Sequence, residues 1–141
     1  MRSVLPKKTK RIACFLALTL VFSAITTQAA PGFINAPYFV GTASWYAEFS
    51  PGVRPTTANM EIFDHDLMTC AIWGIPFNSI LEITNLDNGR RVLVRVNDRG
   101  PARRLCREGR VVDLAMRAFS EIADLDEGLI HVKVRIVHKE E

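Results

Sequence analysis

The sequence is short of the residues from which metal sites and disulfide scaffolds are built. Three histidines and three cysteines are scattered through 141 residues, and none of them cluster at ligand spacing, which argues against a metal site. No other cofactor motif stands out, so none is expected. Internal repeats and low-complexity tracts are missing, and the length suits one domain. Long apolar runs are missing too, with one exception. Residues 12–25, IACFLALTLVFSAI, form a stretch too short to span a bilayer comfortably. Arg2, Lys7, Lys8, Lys10 and Arg11 precede it and TTQAAP follows it. The segment reads as an export signal cleaved after Ala29, with a retained membrane anchor as the weaker alternative.

An excess of positive charge is also missing once that leader is set aside. The whole chain carries +3, but residues 1–29 hold five of the 18 Lys+Arg and none of the 15 Asp+Glu. The remaining 13 basic and 15 acidic residues balance at −2, and net charge gives no reason to expect a nucleic-acid partner. One local exception is the cluster Arg99, Arg103, Arg104, Arg107 and Arg110, either a solvated loop or a hold for an anionic ligand. With Cys14 in the leader, Cys70 and Cys106 remain. An even pair in an exported protein suggests one disulfide, with two free thiols as the alternative. Closing that loop would contribute about 3–4 kcal/mol in the chain-entropy picture.

What is present is mostly β. Residues 30–40 are expected to be a linker, and 41–138 the domain. TASWYA (42–47) is strand-prone, and FSPGVRPTTANM (49–60) is a Pro/Gly/Asn-rich loop. SILEITNL (79–86) and RRVLVRVN (90–97) flank a tight-turn signal and predict a hairpin. Residues 113–125, DLAMRAFSEIADL, carry a helical spacing through Leu114, Ala118, Ile122 and Leu125, with Asp113 as the expected N-cap. HVKVRIV (131–137) alternates again. Short strands in about 100 residues suggest a small closed barrel, with a sandwich as alternative.

Asp98 ends the strand VLVRVND before a Gly-Pro stop. It shares parity with Val92, Val94 and Val96, which would set its carboxyl at the barrel mouth on the apolar side. Desolvation there suits a general acid, and the neighbouring arginines oppose it. Turn chemistry is the ordinary reading of such a residue.

The set GTASWYAEF, TTANMEIFD, MTCAIWGIPF, EITNLDNGRRVLVRVNDRGPARR and GRVVDLAMRAFSEIADLDEG resembles the RlpA-like family of double-psi β-barrels, over nearly all of residues 41–137. The resemblance implies a mainly β, six-stranded double-psi barrel with one principal short helix, in a protein of the bacterial envelope or periplasm. It implies a lytic transglycosylase that cleaves the MurNAc–GlcNAc bond of peptidoglycan strands poor in stem peptides and leaves a 1,6-anhydro sugar. A lytic enzyme uses the sugar's own 6-hydroxyl as nucleophile, so one carboxyl can serve as acid and then base where an ordinary glycosidase needs two.

By this resemblance Asp98 falls on the essential aspartate and Glu61 on the glutamate of the TAN-x-E motif, whose Thr57 and Asn59 are expected to contact sugar. Asn97 and Arg99 are placed to bind hydroxyls or the lactyl carboxylate, and Trp45 and Tyr46 to stack on sugar rings. Three positions depart from the pattern. Ile72 stands where the family's enzymes carry a histidine, Met60 replaces a glycine, and Cys70 replaces a small residue, which fits a staple to Cys106. His65 is not a substitute by position and is expected in a loop. The alternatives are an expansin-like glycan binder without turnover, and a barrel that only contacts another protein.

Overall fold

The computed structural model describes residues 38–139. The expected leader and most of the expected linker lie outside them. Six strands close a barrel: β1 Tyr38–Tyr46, β2 Thr69–Ala71, β3 Ile80–Asn85, β4 Arg91–Asp98, β5 Arg110–Ala115 and β6 Leu129–His138. Around the barrel the order is β1-β5-β2-β4-β3-β6. The pairs β1/β5 and β2/β4 are parallel, and the other four are antiparallel. Tyr38–Val40, read as the end of a linker, are the first residues of β1 and pair with β6.

Alternation makes the core. In β3 Leu81 and Ile83 turn inward, in β4 Val92, Val94 and Val96, in β5 Val112 and Leu114, and in β6 Ile130, Val132 and Val134. The β3/β4 hairpin forms as its sequence predicts, and its turn is tied down from elsewhere. Asn85 and Asn88 each donate a side-chain N–H to the Ile122 carbonyl at 2.9 Å.

Two sequence expectations are corrected. Residues 113–125 are not one helix capped by Asp113. β5 runs through Asp113 to Ala115, and the helix is confined to α2, Met116–Ser120, with Ala115 before it and no side-chain cap. A separate 3-10 turn covers Leu125–Glu127. RVVDLA is hydrogen-bonded to β1 on one side and β2 on the other, and this pairing outweighs local helical spacing. Leu114, Ala118 and Ile122 are fully buried, the same residues that suggested a helix face. The second correction concerns the cysteines, which are free thiols. Cys70 is fully buried in the core. Cys106 sits in a short helix, α1 Arg103–Arg107, where its Sγ contacts the Pro101 carbonyl at 3.4 Å. An even count of cysteines does not bring two side chains within bonding geometry.

β2 is only three residues long and buried throughout. Ala71 lies opposite Asp98 of β4 on one side and Asp113 of β5 on the other. The β2/β4 register slips here, since Cys70 pairs with Val96 and Ala71 with Asp98, leaving Asn97 as an extra residue. A bulge of this kind re-aims the side chains around it.

Candidate active site

A cavity of about 700 Å³ opens at this end of the barrel. Asp98, Asp113, Ser44, Tyr46 and Arg110 come to it from the strands, and residues 50–54 and 56–58 of the long loop form a wall with Met60. Gly100 lies against the floor. A Cβ there would come within 3.1 Å of the Ala71 Cβ and 3.4 Å of Asp113 Oδ2, a tight fit in which the neighbours would have to give by a few tenths of an ångström.

The two aspartates are held differently. Asp98 Oδ1 accepts the N–H of Ala58 at 2.9 Å and that of Arg99 at 2.8 Å. Asp113 Oδ1 accepts the Ser44 hydroxyl at 2.6 Å, and Ser44 in turn accepts Arg110 Nη1 at 2.9 Å. Arg110 itself stands 3.8 Å from Asp113. Burial raises the Asp113 carboxyl above its ordinary range; Ser44 and Arg110 oppose the shift, and the charge of Asp98 adds to it. The cavity thus contains a carboxyl biased toward holding its proton beside one that accepts two amides.

Glu61 has the opposite surroundings. Arg95 grips it with two bonds, at 2.7 and 2.9 Å, while Asn59 donates at 2.8 Å and Asn97 at 3.1 Å. The Arg95 guanidinium and the two amides outweigh partial desolvation and hold the carboxyl down at about 2. Glu61, Asn59 and Asn97 do not line the cavity. They form a brace behind it, continued where Thr57 Oγ1 donates to Asn59 Oδ1 at 2.6 Å and the Asn59 N–H to the Asn97 carbonyl at 3.2 Å. This brace sets the Ala58 amide on Asp98. Met60, in the glycine's place, takes φ 73°, so the turn keeps the left-handed backbone that glycine adopts readily.

The remaining sequence candidates divide in the same way. Thr57, Trp45, Tyr46 and Arg99 line the cavity, but their polar or aromatic groups are largely engaged. Trp45 Nε1 donates to the Leu125 carbonyl at 3.0 Å. The Arg99 guanidinium donates to the carbonyls of Ile72 and Ile75 and lies 3.7 Å from the centre of the Phe77 ring. The Tyr46 ring is stacked on Phe63 at 4.6 Å. Burial, with Asp98, Cys70 and Asp113 nearby, pushes the Tyr46 phenol above its ordinary value. Ile72 is buried in the core, with its N–H on the Asp98 carbonyl. His65 pairs with Glu48 on the long loop and does not line the cavity.

Sequence reasoning missed Asp113 and Ser44 as site residues, and named Arg110 only as one of an arginine cluster. The signal was the alternation in RVVDLA, hidden by the helical spacing that begins at Leu114. Among the described residues no group of His, Cys, Asp and Glu is arranged to hold a metal ion.

The profile of the family described as Lytic transglycolase matches residues 38–134. The chain belongs to this RlpA-like family. The endolytic peptidoglycan transglycosylase RlpA of Pseudomonas aeruginosa is 44% identical over 95 residues, which cover 67% of this chain and 26% of the relative. The probable endolytic peptidoglycan transglycosylase RlpA of Treponema pallidum is 43% identical over 94 residues, covering 67% and 28%. The Vibrio cholerae RlpA is 38% identical over 97 residues, covering 69% and 35%. This RlpA-like chain therefore spans about a quarter to a third of the length of the curated relatives it matches. Among solved structures, the Streptomyces papain inhibitor aligns with a TM-score of 0.57 at 21% identity, over 76% of this chain and all of the other. The Clavibacter michiganensis expansin aligns at 0.57 and 20%, over 74% and 52%. These likenesses show that the RlpA-like barrel has the double-psi fold.

Proposed function

We propose that this chain is a lytic transglycosylase acting on peptidoglycan glycan strands, with Asp113 as general acid and Asp98 as general base. The observation that carries the reading is the unequal pair of carboxyls in one cavity. Burial favours the protonated form of Asp113, the form that gives its proton to the glycosidic oxygen as that bond breaks. Asp98, oriented by two backbone amides, takes the proton of the sugar's 6-hydroxyl as that oxygen closes on C1, leaving a 1,6-anhydro ring. No water is needed as nucleophile, so the pair need not leave room for one. Glu61 acts through the loop, by setting the Ala58 amide on Asp98. The basic leader expected at residues 1–29 would carry the protein to the envelope, where this polymer is.

The test is digestion of sacculi stripped of stem peptides, with products read by mass spectrometry. Wild type should release 1,6-anhydro products, and Asp98→Asn and Asp113→Asn should each release almost none. No anhydro product from stripped or intact sacculi overturns the enzymatic reading.

One observation favours a second reading, a glycan binder without turnover. The family histidine's position is filled by Ile72, which faces the core. That reading expects sacculi to retain the protein while no new anhydro ends form, and expects Asp98→Asn to leave retention unchanged.

A further inference from the structure

We propose that the Tyr46 hydroxyl is a positioning donor for the Asp98–Asp113 pair, bonding to whichever carboxyl bears the charge as the proton moves. The inference rests on reading that pair as acid and base. Tyr46 was expected to offer a ring face to sugar, yet that ring is stacked on Phe63, 6° from parallel. Its hydroxyl is the informative part. The oxygen is closed off from solvent and has no hydrogen-bond partner, although buried hydroxyls almost always have one. Tyr46 lines the same cavity as Asp98 and Asp113, and the charges of Asp98, Cys70 and Asp113 bear on its phenol. On its own strand Ser44 carries the Arg110 charge toward Asp113.

The hydrogen bonds on the pair fall on Oδ1 of each aspartate, so Oδ2 of either can turn to a new donor. In the lytic reaction one proton leaves Asp113 for the departing oxygen and another reaches Asp98 from the 6-hydroxyl. The negative charge thereby passes from Asp98 to Asp113. A single donor in the cavity that both aspartates line would serve the start and the end of that transfer. Burial keeps the phenol protonated and therefore a donor throughout. The hydroxyl, unpaired in this structure, is available to the charged carboxyl in the free protein as well as during turnover.

The experiment is Tyr46→Phe in the purified protein, which retains the ring and its stack on Phe63. Three readouts are taken: carboxyl-carbon NMR titration of the aspartate pair, thermal melting, and kcat and KM on peptide-free glycan strands. The upper of the pair's two apparent pKa values should rise by about one unit, because a donor to the charged form has been removed. Melting should be unchanged or higher. The kcat should fall about tenfold with KM within about twofold, as expected of a group acting through the acid and base. An unchanged titration overturns the proposal, as does a loss of kcat that follows a lower melting temperature. If wild type makes no anhydro product yet the titration shifts, the transglycosylase reading fails and the role of Tyr46 stands. If product forms and the titration of Tyr46→Phe matches wild type, only the role of Tyr46 falls.

Discussion

Glu61 and Asp113 are both carboxyls at the same end of one barrel, and their surroundings separate them. Glu61 is gripped by Arg95 and two asparagine amides, and Asp113 has the Ser44 hydroxyl with Arg110 at a distance. A carboxylate crowded with donors is pinned as an anion and has no reason to exchange its proton. A carboxyl that is desolvated and sparsely bonded is shifted toward its protonated form. The brace and the cavity therefore differ in kind: the brace ties the loop, and under the proposed function the cavity carries the chemistry.

The largest effects should come from exchanging the two kinds of change. Asp98→Asn and Asp113→Asn should each lower anhydro-product release by about 10²–10⁴-fold. Asp113→Asn should melt at the same temperature or slightly higher, because a buried acid with a raised folded-state pKa is destabilising near neutral pH. Loss of folding in that variant would contradict the division.

Glu61→Gln should show the reverse emphasis, a stability loss of about 1–2 kcal/mol by denaturant melting, discounted for partial exposure. The pH dependence has a definite sign. The Glu61 carboxyl is depressed to about 2 in the folded protein, so its contribution is fully present above the ordinary glutamate value near 4.3 and is lost as pH falls toward 2. Wild type should lose more stability than Glu61→Gln over that interval; parallel curves would mean that the brace bears no load.

A smaller effect sharpens the geometry of the cavity. Gly100→Ala forces a methyl against Ala71 and Asp113, and should lower activity about tenfold for about 1 kcal/mol of stability. Smallest of all is Met60→Gly, which removes the cost of a side chain at φ 73° and should raise stability by about 0.5–1 kcal/mol in thermal melts.

The parts legible in the sequence were those with local causes. The β3/β4 hairpin follows from alternation around DNG, and the barrel core from valines spaced by two. The parallel pairs β1/β5 and β2/β4 are brought together by distant segments, and nothing within either strand announces its partner. Asp113 was hidden for that reason: Leu114, Ala118 and Ile122 satisfy a helix as well as a strand followed by a short helix. Only pairing to β1 and β2 decides between them. The Cys70–Cys106 expectation failed because counting says nothing about direction. Ile72 could be matched to the histidine's position from sequence, but its orientation into the core could not.

Ala71 gives the site its ruler. Because this one residue lies opposite both Asp98 and Asp113, the two acids sit on strands two ladder steps apart, about 10 Å between backbones, with their side chains leaning toward one cavity. Main-chain hydrogen bonds set that interval, and side-chain packing does not. Surrounding loops can change in length and composition while the interval between the two acids stays constant.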